Sequence, residues 1–324
     1  MTGGCGFVGS HLVRRLLANG HDVAVLDPQP CIFDEELRGS GAQIEYGSVA
    51  DAATVDRCVA GVEVVYNLAS PFGDILAPDS EYRAVEVAGP RNVLSAAEKH
   101  GVRRVVHCST QGVHGSLEQT PGDENSPIEP LDFYCRSKAE GERVCHDFMK
   151  RGVDVTIVRP TSVYGPGDLR GWLKLFRMIE RGWFLMIGSG RTMNHPIYVE
   201  NLVDLLELAA TVPEAKGRAY IAGDADAVTL TKLVRRVGEA VGSSVRIISF
   251  PSYRLARAGV GAVEAVARLL RIPPPVFQRR LSWFRTNRSF SIDKAARELG
   301  YQPRVDLREG LARTAEWYRK HGHL

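Results

Sequence analysis

Tyr134 and Lys138 stand four positions apart in Tyr134-Cys135-Arg136-Ser137-Lys138. In a helix that spacing brings both side chains to one face. An ammonium beside a phenol favours the phenolate and lowers the tyrosine pKa, so the pair reads as a proton-transfer device near neutrality. The plainer alternative is an exposed polar face. Position argues for chemistry, because the preceding predicted strand ends at Ser109 and Thr110. A hydroxyl there can hydrogen-bond a substrate oxygen as charge develops on it.

A second chemical feature opens the chain: Thr2-Gly3-Gly4-Cys5-Gly6-Phe7-Val8-Gly9, a T-G-x-x-G-x-x-G pattern ahead of an amphipathic helix. Such glycines let the backbone turn tightly and approach a pyrophosphate, whose charge sits on the helix N-terminus. Asp27 follows at about the 20-residue distance expected of a ribose-binding carboxylate, at the end of a predicted strand. It would repel a 2′-phosphate, and Pro28-Gln29-Pro30 offers no arginine to offset that, so NAD is expected rather than NADP. The alternative is that Asp27 merely begins a turn with Pro28. The loop should follow a buried strand, yet only Met1 precedes it. The expectation is therefore a sheet lacking its first, central strand, with four to six apolar residues encoded upstream. Without them, neighbouring strand edges would be left unpaired and the protein prone to aggregate.

The elements needed to hold these residues alternate in a βα rhythm, which favours a parallel sheet covered by helices. Helices are predicted at 10–19, 51–60, 80–99 and 133–151, with Gly89-Pro90 an irregularity in the third. Strands are predicted at 23–26, 62–68, 104–108 and 153–158. After Pro160 the rhythm changes. Gly165-Pro166-Gly167 is a loop and 171–182 a helix; 195–199 reads as a strand returning to the first unit, with a helix at 200–210. Then come strand, helix and strand over 217–249, a basic amphipathic helix at 252–271 ended by Pro273-Pro274-Pro275, and helices near 292–299 and 306–321. The division is a cofactor-binding Rossmann unit over 1–165, with a return at about 194–212, and a mainly substrate-binding unit over 166–324.

Composition is that of an ordinary globular chain: 324 residues, 44% hydrophobic, 24% charged and a formal charge of +3. The small, dispersed charge gives no reason to expect nucleic acid. Cys5, Cys31, Cys58, Cys108, Cys135 and Cys145 show neither a C-x-x-C pair nor zinc spacing, so reduced thiols in a cytoplasmic protein are expected, with no metal. No apolar run is long enough to cross a membrane. The basic helix could rest on one, although lining a substrate pocket is the simpler role.

Taken in order, these motifs resemble the extended short-chain dehydrogenase/reductase superfamily, in particular the NAD-dependent epimerase/dehydratase family and its 3β-hydroxysteroid-dehydrogenase-like branch. The resemblance rests on the glycine loop, Asn67-Leu68-Ala69-Ser70, Cys108-Ser109-Thr110-Gln111-Gly112-Val113-His114-Gly115, Tyr134 with Lys138, and Arg159-Pro160-Thr161-Ser162-Val163-Tyr164-Gly165-Pro166-Gly167. Ile292-Asp293-Lys294-Ala295 and Leu299-Gly300-Tyr301-Gln302-Pro303 complete it. It implies a doubly wound Rossmann fold, with Thr110, Tyr134 and Lys138 as catalytic residues. It places the cofactor on Gly3, Gly6, Phe7, Val8, Gly9, Asp27, Ser48, Val49, Leu68, Ala69, Tyr134, Lys138, Arg159, Pro160 and Ser162. Lys138 would also hold the nicotinamide ribose. A homodimer through the helices near 80–99 and 133–151 is implied as well.

Departures from the pattern narrow the activity. Gln111-Gly112 follows Thr110 where the family's dehydratases carry Asp-Glu, which argues against dehydration by that mechanism. Ser162 stands where nucleotide-sugar epimerases often have asparagine. Ser48 replaces an aspartate that commonly contacts adenine, and Glu86 replaces an asparagine; both substitutions would weaken cofactor binding. Trp172, Phe176, Met178, Trp183, Phe184, Met186, Tyr253, Leu255, Phe277, Trp283 and Phe284 either line an apolar substrate pocket or form a core. Arg191, Arg285 and Arg288 are either phosphate ligands or surface charges. His195 either faces substrate or is structural, and His114 takes no role. The expected function is NAD-dependent interconversion of a secondary alcohol and a ketone on an apolar small molecule. The alternatives are a nucleotide-sugar epimerase and a non-catalytic NAD-binding protein.

Overall fold

A computed structural model describes residues 1–30, 32–71, 78–269 and 281–324. Cys31, Pro273-Pro274-Pro275 and Phe277 lie outside the described residues. The main sheet is parallel and in two parts. Strands β1 (Ala24–Asp27) and β2 (Gln43–Tyr46) form one part. The other runs β10 (Ala219–Ala222), β5 (Val155–Pro160), β4 (Arg104–Cys108) and β3 (Val64–Asn67) in that order. Val106, Ile157 and Val158 are fully buried, as expected of strands covered on both faces.

Between β1 and β3 no further strand is formed among the described residues. Met1 and Thr2 stand in the central place: Thr2 pairs in parallel with both Leu26 and Asn67. The Thr2 amide donates to Tyr66 O at 2.9 Å, and Gly3 N donates to Leu26 O at 2.9 Å. Val25, Leu26, Val55, Val59 and Val65 line the narrow space beside these two residues.

Helix α1 (Phe7–Ala18) buries Leu12, Val13 and Leu16 at the spacing read from the sequence. It packs on α8 (Val199–Thr211), which also covers β4 and β5. Helix α3 (Ala52–Val59) begins as predicted, with the Asp51 carboxylate accepting from Ala53 N at 3.1 Å. The helix predicted over 80–99 is three pieces: α4 (Asp79–Arg83), a π-helical stretch (Ala84–Ala88) and α5 (Gly89–His100). Pro90 lacks the N–H that an α-helix would give to the Glu86 carbonyl, so the irregularity expected at Gly89-Pro90 falls just before it.

The later part builds its own core. Helices α7 (Gly171–Glu180), α9 (Leu230–Val241) and the C-terminal helix (Leu307–Lys320) enclose Trp172, Phe176, Phe184 and Met186. Here the pocket alternative is corrected for these four: they are buried core. Met178, Trp283 and Phe284 pack against the same core, while Trp183 and Leu255 are exposed. Although β10 falls in the half read as mainly substrate-binding, it returns to the main sheet beside β5. Its backbone pairs with the edge of β5 left open by β4, and Tyr220, Ile221 and Ala222 are fully buried there.

Candidate active site

Two chain segments meet at the C-terminal edge of the parallel strands, the usual binding edge of such a sheet. The first is the glycine loop. Gly3 has φ +69°, and a Cβ at Gly9 would lie 2.1 Å from Gly3 O, so only glycine lets the helix start fold under the loop. Gly6, at the helix N-cap, has no side chain to satisfy the first-turn amides of α1. That leaves an anion cradle of the kind a pyrophosphate fills. Phe7 and Val8 are half-buried behind it.

Asp27 ends β1 buried, and its Oδ2 accepts from the Cys5 amide at 3.1 Å. Burial pushes its pKa up, opposed by the amides of Cys5 and Gln29. Asp34 adds a second negative charge nearby, and it already accepts from Tyr46 Oη at 2.8 Å and Arg38 Nε at 3.1 Å. Arg14 is bound to Glu36. The nearby cations are thus engaged with carboxylates, and the site suits a ribose diol rather than a 2′-phosphate. Among the other expected cofactor residues, Leu68 and Ala69 sit at the end of β3, where their amides bond Thr2. Ser48 is exposed and its Oγ accepts from Ala50 N at 3.1 Å; Val49 is buried against Gly89.

The second segment is α6 (Phe133–Lys150), capped by Asp132, whose Oδ1 accepts from Cys135 N at 2.8 Å. This cap sets Tyr134 in the first turn, beside the ring of Tyr82 at 6.2 Å. A turn later Lys138 points inward, 3% exposed, and its Nζ donates to Cys108 O at 2.9 Å. Thr110 follows the end of β4, and its Oγ1 accepts from Gly112 N at 3.1 Å. A Cβ on Gly112 would lie 2.6 Å from Cys135 Sγ and 3.4 Å from Thr110 Oγ1, so the threonine hydroxyl stands over the first turn of α6. Thr110, Tyr134 and Lys138 are therefore brought to one place.

One electrostatic expectation changes. Lys138 also forms a 2.8 Å ion pair with Glu86 Oε2 of the π-helical stretch, and Glu86 is 1% exposed. Burial, then the charge of Glu86, pushes the Tyr134 phenol well above the ordinary tyrosine range instead of toward neutrality. Beneath the pair, His107 accepts from Asn67 Nδ2 at 3.1 Å; burial, then the Lys138 charge, takes it down to about 3, so it is neutral.

Arg159 has its side chain elsewhere. Its guanidinium forks onto Glu142 at 2.9 and 2.7 Å, and Nη1 donates to His114 Nε2 at 3.2 Å. Pro160 is buried at the end of β5, paired with Ala222. Ser162 is exposed on β6 (Ser162–Tyr164), paired with Pro196 of β9 (Pro196–Tyr198). His195 is structural: Nε2 donates to Asp224 O at 2.7 Å and Nδ1 accepts from Phe290 N at 3.3 Å. Arg191 and Arg285 are exposed, whereas burial lowers the pKa of Arg288, whose charge neighbours are Cys135 and Asp132. Sequence reasoning noticed Glu86 only as a departure. Its i+52 partner Lys138 carries no local signal.

The fold and the glycine loop are those of an NAD-dependent enzyme, with Thr110, Tyr134 and Lys138 gathered at the ends of its parallel strands. The chain belongs to the NAD dependent epimerase/dehydratase family, whose model matches residues 1–223. It is 28% identical, over 98% of this chain and 94% of the relative, to N-acetyl-alpha-D-glucosaminyl-diphospho-ditrans,octacis-undecaprenol 4-epimerase of Escherichia coli O157:H7. To 3 beta-hydroxysteroid dehydrogenase/Delta 5-->4-isomerase of Mycobacterium tuberculosis it is 30% identical, covering 98% of this chain and 89% of that one. The crystal structure of DesIV, a dTDP-glucose 4,6-dehydratase from Streptomyces venezuelae with NAD and TYD bound, superimposes with a TM-score of 0.77 at 27% identity, covering 98% of this chain and 96% of that one. Among the described residues no helix is long and apolar enough to cross a membrane.

Proposed function

We propose that this protein interconverts a secondary alcohol and a ketone on an apolar small molecule, using NAD. The observation that carries the reading is the convergence of Thr110, Tyr134 and Lys138 at the strand edge beside the glycine loop. NAD, when bound, supplies hydride transfer. Gly3, Gly6 and Gly9 would take its pyrophosphate and Asp27 its ribose. Lys138 has three donors, of which Cys108 O and Glu86 take two, leaving one for a ribose hydroxyl. Thr110 Oγ1 accepts from Gly112, so its own proton is available to hold the substrate oxygen. Tyr134 gives that oxygen a proton in reduction and removes one in oxidation. The rings of Tyr82 and Phe133 beside Tyr134 supply apolar surface, and the dehydrogenase relative supports an apolar substrate.

Arg288 favours a second reading, a nucleotide-sugar epimerase, because a partly buried guanidinium suits a diphosphate. Cofactor accounting separates the two. Purified protein given panels of ketones, alcohols and UDP-sugars consumes or forms NADH in stoichiometry with product in the first case, and shows product without net NADH change in the second. In either case Tyr134→Phe should lower turnover about 10³-fold with NAD affinity retained. Near-normal turnover in that variant would defeat both readings.

A further inference from the structure

The ion pair inside the site is a feature of this chain's own. The resemblance places a neutral asparagine where Glu86 stands. Here a carboxylate 1% exposed meets an ammonium 3% exposed at 2.8 Å, and its other oxygen accepts from Ser70 Oγ at 2.6 Å. The π-helical stretch aims it. A Cβ on Gly141 of α6 would lie 2.3 Å from Glu86 O, so the two backbones touch there and bring Glu86 opposite Lys138. Such a pair buried together holds its geometry, because removing either partner strands the other charge.

We propose that Glu86 is a positioning residue that biases this site toward carbonyl reduction, by pairing at 2.8 Å with Lys138, one helical turn from Tyr134, and so cancelling the ammonium charge that would otherwise favour the phenolate. The inference rests on the reading of Tyr134 as the acid/base. In reduction the carbonyl carbon takes the hydride that NADH gives up, Tyr134 Oη loses its proton to the carbonyl oxygen, and the phenolate regains a proton from water. A phenol is ready for that step. Alcohol oxidation needs the phenolate, which this arrangement withholds until alkaline pH.

Among the described residues, the further charge neighbours of Tyr134 act in the same sense. Cys108 faces it from β4, and Cys135 and Asp132 from its own helix; each raises the phenol pKa after burial and Glu86. Tyr82 contributes a ring edge. Of the cations, Arg83 lies over Phe133 and Arg288 has Asp132 and Cys135 for neighbours.

The test is a titration of Tyr134 in the cofactor-free protein labelled with [13Cζ]tyrosine, its signal assigned by loss in Tyr134→Phe. Wild-type Tyr134 should titrate above the free value of about 10. Glu86→Gln should lower the midpoint by about one pH unit, and Asp132→Asn, an equal charge change at a residue that remains a good cap, by less. In the holoenzyme Glu86→Gln should move the alkaline limb of alcohol oxidation down by the same interval, raising oxidation at neutral pH about tenfold. A wild-type midpoint below about 10 overturns the proposal whatever the variants do. So does an unmoved midpoint in a Glu86→Gln protein that melts and binds NAD like wild type. If instead Tyr134→Phe keeps its turnover, the functional reading fails while the titration still reports on Glu86.

Discussion

Asp27 shows how much one side chain can settle. Its carboxylate holds the Cys5 amide of the glycine loop, and on the proposed function it would also take the cofactor ribose. Replacing it with alanine removes a hydrogen bond to a charged group, worth roughly 1.5–3 kcal/mol. Asp27→Ala should therefore weaken NAD about 10- to 100-fold by calorimetry, with a smaller loss for NADP, whose 2′-phosphate the carboxylate repels. Because burial raises the Asp27 pKa, NAD affinity in the wild type should begin to fall at a pH above the ordinary carboxylate range as the group takes up its proton. Equal losses for both cofactors would contradict this role. The placement of Asp27 and Thr110 at strand ends, and of Tyr134 and Lys138 on one helix, was legible in the sequence from the glycine loop, the apolar runs and the i,i+4 spacing. Arg159 lies at the strand end that its motif specifies, while its side chain goes to Glu142, whose pKa burial raises but Arg159 brings below the ordinary glutamate range.

Between residue and molecule, the decisive element is the contact of α6 with the π-helical stretch. Amphipathic periodicity gave helices at both segments, and Gly89-Pro90 marked the interruption. Nothing local announced the π geometry, since its extra residue is accommodated by packing against a helix some fifty residues later in sequence. Gly141 is where that packing is tightest. Gly141→Ala gains helix propensity, yet its new methyl cannot coexist with Glu86 O at 2.3 Å. The helices must separate, at a cost of about 1–3 kcal/mol. The variant should melt lower than wild type, and the Tyr134 titration should move in the direction of Glu86→Gln as the ion pair opens. A melting temperature at or above wild type would show that the contact is looser than described.

Across the whole molecule the parts are tied by polar groups that composition does not reveal. Large apolar residues after Pro160 were ambiguous in sequence because a pocket and a core want the same side chains; Phe176 and Phe184 went to the core. The joint between that core and the main sheet is Asp224, 3% exposed just after β10. Its Oδ1 accepts from Tyr198 N at 3.0 Å and Asn201 Nδ2 at 2.7 Å, and Asn201 in turn holds Val305 through both its amide atoms. Oδ2 is buried without a hydrogen bond of normal geometry among the described residues. Burial raises the Asp224 pKa to about 6. A raised acid binds its proton more tightly folded than unfolded, so its contribution is favourable in acid and is lost as pH rises from about 4 through 6. Above that range the folded protein carries an imperfectly solvated charge. Asp224→Asn keeps the Oδ1 acceptor and removes the charge. It should raise stability at pH 8 by about 1 kcal/mol, or about 2 °C in melting temperature, with the gain vanishing below about pH 4. A variant that melts lower at pH 8 would mean that the charge itself, through its two donors, holds the joint together.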